Sequence, residues 1–350
     1  MRINLYIFFC LVLLSCQDEI TLSLPQVNMK IVVEGSIEPD FPPYVILTKN
    51  EGYFDPITEN YPSNIYINDA DSVIVWYYSD SGDSIARLLK QIDQNLLQLV
   101  GIDSTVPPIY TVDDYNFFSE NPNPYNFSKE ETTYFLKIKW NNQVITSQTT
   151  IPKSTILDSI WIEKNETAKR EYKCDIRAMY SDPADRQNNI LIKSKRIQHY
   201  EINRKDTLLC DTINYPDFPF KLVDAGSDIL VNGQSFETYF PRPEESGFPT
   251  GTYNSSHEIE CGDNLITFKE DIVIIKFCQI DEASMKFWRG LTRQEGTNGN
   301  PFAEPSNLVS NINGGLGIWA GYSPVYYKVP IIKNSTINIP YKPKTIIDIF

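Results

Sequence analysis

A chain of 350 residues, 41% hydrophobic and 13% aromatic, has material for more than one sandwich-sized core. Its 45 acidic residues against 31 basic ones give a net charge of -14, so a polyanion would meet a repulsive field and nucleic acid is set aside as a partner. With 23 prolines, 21 tyrosines and 18 phenylalanines, the composition favours short strands joined by punctuated loops and predicts a mainly-β protein of two domains.

The first segment reads as a leader. Arg2 supplies a positive start, residues 3–14 an apolar run, and Leu13-Leu14-Ser15-Cys16 the branched, small, cysteine ending that looks like a bacterial lipobox. The run is shorter than the roughly 20 apolar residues a membrane-crossing helix needs, so 1–15 is expected to be a removed signal peptide. Cys16 then becomes the lipidated first residue of the mature chain, at the head of a polar tether over 16–29. At about 0.8 kcal/mol per buried methylene, several acyl chains such as palmitate moor a protein where a single chain does not. Gln17-Asp18-Glu19 turns acidic at once and resembles the export signal that sends Bacteroidota lipoproteins to the outer face of the outer membrane. The plainer alternative is an ordinary secretory leader with an incidental cysteine.

Removing the leader removes Cys10 and lipidation consumes Cys16, which leaves Cys174, Cys210, Cys261 and Cys278. In an oxidising compartment four cysteines permit disulfides. Cys174 and Cys278 sit inside strand-like runs and read as small buried hydrophobes, whereas Cys210 and Cys261 lie at loop edges and are the candidates for one bridge. There is no CxxC pair and there are 2 histidines, which argues against zinc.

Past the tether, strands are predicted over 30–37 (KIVVEGSI), 44–48 (YVILT) and 72–78 (SVIVWYY). Residues 134–140 (YFLKIKW) alternate with period two, and Asn141-Asn142 is hairpin-turn chemistry leading into 144–151. Pro152 closes this unit, so 30–152 is expected to be a β-sandwich of Ig-like or transthyretin-like type. Segment 84–100 admits two readings. Ile85, Leu88, Leu89, Ile92, Leu96, Leu97 and Val100 fall on helical spacing, but the Ser81-Gly82 turn that precedes them favours a hairpin turning near 93–95.

The second domain, 153–350, is predicted to carry strands over 156–163, 172–180, 189–195, 229–231, 235–240 and 265–280. The last run, LITFKEDIVIIKFCQI, mixes alternating and fully apolar parts, as a central strand buried on both faces does. One short helix is expected over 281–295: Asp281 and Glu282 at its start, Met285, Trp288 and Leu291 as its apolar stripe, Arg289 and Arg293 at its far end, Gly296 as its stop. The glycine-rich stretch 299–323 then turns on Gly314 and Gly315, which adopt positive φ without steric cost, and returns Leu316, Ile318 and Trp319 to the core.

The lipobox, VVEGSI, YVILTKNEGYF, TSQTTIP, YSDPADRQNN and NGNPFAEPSNLVSNINGGLGIWAGYS, in that order, resemble the Bacteroidota lipoprotein family catalogued as domain of unknown function 4249. The match spans nearly the whole mature chain and is most specific in the closing GNPF-to-GGLGIW stretch. The resemblance implies an outer-membrane lipoprotein whose partner is a TonB-dependent receptor, and a role in nutrient uptake. Tetratricopeptide-like surface partners of such transporters are helical repeats, and this chain lacks that period.

No catalytic constellation stands out. GxSxG and HExxH are absent, His199 and His257 stand alone, and no carboxylate spacing singles out a glycosidase pair, so neither an enzyme nor a cofactor is expected. Asn68-Asp69-Ala70-Asp71 and Asp80-Ser81-Gly82-Asp83 alternate oxygen ligands but lack an EF-hand's closing glutamate, and solvated turns are the preferred reading. The recognition candidates are aromatic loops. Residues 110–127 place Tyr110, Tyr115, Phe117, Phe118, Tyr125 and Phe127 among Asp, Asn and Pro, a mixture suited either to stacking on sugars and partners or to capping the sandwich. The function expected is therefore ligand capture at the cell surface beside a transporter. The alternatives are a free-standing adhesion or structural lipoprotein, and a hydrolase with an unrecognised carboxylate site.

Overall fold

A computed structural model describes residues 28–50, 64–93, 107–116, 123–164, 174–204, 210–214, 220–240, 252–254, 258–261, 264–297, 308–330 and 339–341. Cys16, Gln17, Asp18, Glu19, Phe117 and Phe118 lie outside these residues. The protein is mainly β and sandwich-like. Its first half holds β1 (Ile31–Ile37), β2 (Tyr44–Lys49), β3 (Ser72–Tyr78), β4 (Ser84–Gln91), β5 (Ile109–Thr111), β6 (Thr132–Trp140) and β7 (Gln143–Ile151). Inward positions of β1, β2 and β5, such as Val33, Val45 and Tyr110, meet Val75, Leu136 and Ile145 of β3, β6 and β7 in one core. Strand alternation produces this, because every second side chain faces the opposing layer.

Local chemistry sets the hairpins. Asn141 and Asn142 both take positive φ, 47° and 59°, as a two-residue turn between β6 and β7 requires. The helical reading of 84–100 gives way to strand: Ser84–Gln91 is β4, antiparallel to β3 across the Ser79–Asp83 turn. Its apolar residues serve both faces, Leu89 buried inward and Leu88 left outward. The turn expected near 93–95 falls mostly outside the described residues.

The second half holds β8 (Ser159–Lys164), β9 (Cys174–Ser181), β10 (Asn189–Arg204), β11 (Cys210–Asn214), β12 (Lys221–Ser227), β13 (Ser235–Phe240), β14 (Thr252–Asn254), β15 (Glu258–Cys261), β16 (Asn264–Ile280), α1 (Glu282–Thr297), β17 (Leu316–Pro330) and β18 (Ile339–Tyr341). Among the described residues the main sheet has 15 strands, and its path runs β11-β10-β16-β17-β1-β2-β5-β4-β3-β6-β7. A second sheet, β13-β9-β8, covers one face of β16 and β17, where Tyr180 and Phe240 pack on Val273, Ile275 and Phe277. Helix α1 covers the other face, with Met285 and Trp288 against Leu191, Cys278 and Ile318. Every residue from 272 to 280 is buried, as expected of a central strand.

The sheet crosses the boundary expected at 152–153. β17 pairs in parallel with β1, Val33 against Gly317, while its other end pairs with β16. One core therefore joins Ile31 and Val45 to Ile272, Ile274 and Trp319. Such a pairing between strands nearly 300 residues apart leaves no local trace in the sequence.

Four expectations are corrected. Residues 229–231 are not a strand: Val231 and Gln234 amides bond the carbonyls of Asp228 and Val231, and Leu230 is 90% exposed at the tip. Two successive tight turns closed by Gly233 at φ 72° override the apolar run. Gly296 does not stop α1, which runs to Thr297 and has no basic residue in its last turn. Its start is as expected, because the Asp281 carboxylate accepts the Ser284 amide at 2.8 Å. Gly314 has φ 85°, but Gly315 is required for space instead, since a Cβ there meets the Ile31 carbonyl at 2.9 Å. Ile318 and Trp319 are buried, whereas Leu316 points outward at 36% exposure. Among the described residues no helix is long and apolar enough to cross a membrane.

Candidate functional site

The clearest departure from sandwich chemistry lies on the outer face of β4, β3, β6 and β7. In β3 the inward residues Val73, Val75 and Tyr77 are buried, and alternation should leave polar residues outside. Instead the outward positions are Ser72, Ile74, Trp76 and Tyr78. Register places Trp76 between Ala86 of β4 and Phe135 of β6, and Ile74 between Leu88 and Lys137. The Trp76 and Phe135 rings stack with centroids 5.4 Å apart and 20° between planes, and Tyr78 meets Phe135 edge-on at 5.6 Å. Tyr78 is 57% and Leu88 51% exposed. Ala86 raises only a methyl beside the indole.

The charge of this face also differs from the chain's. Outward positions of the four strands include Lys90, Lys137 and Lys139 but no carboxylate, on a protein of net charge -14. Ser84, Thr133, Gln148 and Thr150 supply neutral hydroxyl and amide groups around the rings. A clustered apolar row with a polar rim on an exposed sheet face marks a contact surface. The signal was present in SVIVWYY, which is apolar at both parities between partner strands that alternate.

The aromatic loop residues singled out from sequence are placed differently. Tyr110 and Phe127 are each 4% exposed and belong to the core. The Tyr110 hydroxyl donates to the Ile67 carbonyl at 3.1 Å. Tyr115 and Tyr125 are brought together edge-on at 5.6 Å and are half-buried. The Tyr125 hydroxyl donates to Asp114 at 3.0 Å and accepts from Arg87 at 3.2 Å; burial is the main cause that pushes its pKa up to about 12. Tyr115 and Tyr125 therefore cap the sandwich over a core that includes Tyr110 and Phe127.

The acidic turns are used locally, Asp69 accepting the Trp140 indole at 2.9 Å and Asp83 the Ser81 hydroxyl at 2.7 Å. No group of three or more His, Cys, Asp or Glu that could hold a metal occurs among the described residues. His257 lies outside them, and of His199 only the backbone, in β10, is described. Cys278 is a free, buried thiol whose pKa burial raises. Cys210 and Cys261 lie on β11 and β15, with β10 and β16 between them, and Cys210 aligns through Asn203 and Leu265 with Glu260. Three strand spacings, about 14 Å, separate those backbones, more than one disulfide spans.

A buried charge cluster lies beneath α1 and beside β1. Glu38 and Lys276 form an ion pair at 2% and 3% exposure, and the Tyr326 hydroxyl donates to the same carboxylate at 2.8 Å. Across the ladder from Lys276, Lys193 holds its ammonium 4.1 Å from the Trp288 ring centroid, with no carboxylate partner among the described residues. Burial first, then Lys276, lowers its pKa to about 8, against smaller opposing effects of Cys278, Glu34 and Glu38.

This sets a pH dependence. An unfolded lysine titrates near 10.4, so between about pH 8 and 10.4 the unfolded chain binds more protons and stability rises with pH. From about pH 8.5 the Cys278 thiol acts oppositely, and above pH 10 Tyr44, Tyr322 and Tyr326 do the same, all raised chiefly by burial, because the unfolded chain releases their protons first. Stability is therefore expected to rise above pH 8, level off near pH 9 as the Cys278 effect offsets that of Lys193, and fall above pH 10. Lys193→Met should gain about 1–2 kcal/mol at pH 7 and flatten the rise from pH 8, measured by urea melts at each pH. An unchanged slope in the variant would place the titration elsewhere.

No family model matches the chain, and no curated protein matches it. What the geometry defines is a mainly-β, sandwich-like body with an exposed aromatic row and a core that carries its own ion pair.

Proposed function

We propose that the protein is a lipoprotein of the outer-membrane surface, of the Bacteroidota family its motifs resemble, and that it captures ligand as the partner of a TonB-dependent transporter. The observation that carries the capture role is the Trp76–Phe135–Tyr78 row, held rigid by ring contacts and left open on a sheet face. The Leu13-Leu14-Ser15-Cys16 ending and the acidic Gln17-Asp18-Glu19 support the anchor and the address. In this reading the acyl chains on Cys16 hold the body at the membrane, the tether gives it reach, and the aromatic face makes contact. Rigid aromatic side chains suit that task because little side-chain entropy is lost on binding.

Replacing the anchor tests the assignment. The wild-type chain is expected in the membrane fraction and open to protease added to whole cells, whereas Cys16→Ala should be released to the soluble fraction. Retention of Cys16→Ala in the membrane, or a wild-type chain that protease never reaches, contradicts it.

A further inference from the structure

Resting on that reading, we infer that the outer face of β4, β3, β6 and β7 takes a neutral glycan, laid along the Trp76–Phe135–Tyr78 row, as its ligand. Size argues first. Four strands at about 4.8 Å and seven residues at about 3.3 Å make a face of roughly 440 Å², while a stable protein interface needs about 800 Å² from each partner. The face suits an extended chain a few rings long better than a folded protein.

Chemistry argues second. A pyranose presents a patch of C–H groups on one side and a ring of hydroxyls around it. The C–H patch is matched by fixed aromatic surface, with Ala86 leaving space beside the Trp76 indole and Leu88 closing that side further along. The hydroxyls are matched by neutral groups that both donate and accept: exposed Ser84, exposed Gln148 across from Phe135, and the Thr133–Thr150 hydroxyl pair at 2.9 Å. The outward strand positions carry no carboxylate, and the charges at the face, Lys137, Lys139 and Lys90 with its ion-pair partner Asp113, lie at the end away from Tyr78.

The test is native gel electrophoresis of the full chain in mild detergent, through gels cast with soluble starch, mixed-linkage β-glucan, xylan or galactomannan. At least one polysaccharide should retard the wild-type protein. Trp76→Ala and Phe135→Ala should weaken that retardation about tenfold or more, and Tyr78→Ala, at a more exposed position, should weaken it without risk to the fold. Tyr239→Ala, exposed on β13, should leave it intact. Migration unaffected by every polysaccharide, or retardation that survives all three substitutions in the row, overturns the proposal. If no gel retards the protein while Trp76→Ala abolishes its co-purification with the transporter, the face binds protein: the glycan is then refuted and the transporter partnership stands.

Discussion

Glu38→Ala is expected to cost about 3–5 kcal/mol of stability, among the largest losses a single substitution in this chain should produce. The carboxylate is buried, pairs with Lys276 and accepts the Tyr326 hydroxyl, so its removal leaves an ammonium inside the core without its counter-charge. The loss is one of charge balance more than of packing, and a double-mutant cycle separates the two. Glu38→Met combined with Lys276→Met should lose much less than the two single changes added, because matched apolar groups need no compensation. Urea denaturation of the four proteins measures this. Single-variant losses below about 1 kcal/mol would mean that water reaches the pair.

Gly317→Ala should be at least as damaging. Gly317 sits in β17 opposite Val33, with φ 99°, and a Cβ there would lie 2.0 Å from the Val33 carbonyl oxygen. Positive φ alone costs an alanine about 1–2 kcal/mol, but the clash with backbone cannot be relieved by a side-chain rotation. The parallel β1–β17 ladder must open, and with it the core that joins the two halves of the chain. A loss of 3 kcal/mol or more, or failure to fold, is expected. Gly82→Ala is the control: φ is 84° in an exposed turn, nothing lies within 4 Å, and only the strain remains. Equal losses in the two variants would show that the ladder yields readily at Gly317.

Where structure followed local chemistry, the sequence announced it. Asn141-Asn142 made its hairpin, Asp281 capped α1, and the doubly apolar run of β16 became a strand buried on both faces. Local pattern misled where another force decided. Ile229-Leu230-Val231 has strand composition but sits in paired turns, and β12, KLVDAGS, has too irregular an alternation of buried and exposed residues to announce itself. The β1–β17 pairing and the Glu38–Lys276 bond join residues far apart in the chain; the latter are separated by 238 positions. No local window contains such contacts.

The site teaches a narrower lesson. Aromatic residues in a polar loop attracted attention at 110–127, yet Tyr110 and Phe127 proved to be core and Tyr125 a hydrogen-bonded cap. Trp76 and Phe135 lay inside strands, where aromatic residues are ordinary, and only the strand parity reveals that they face outward. Strand composition argues for burial; alternation decides which face receives it.

The most direct measurement is a pull-down from outer membranes through a tag at the carboxyl end, comparing the wild-type chain with a Trp76→Ala, Phe135→Ala double variant of equal melting temperature. The account predicts that the wild type brings down a large TonB-dependent barrel together with bound glycan, and that the double variant still brings down the barrel but markedly less glycan. Equal glycan recovery from both proteins, or no barrel brought down by the wild type, would contradict it.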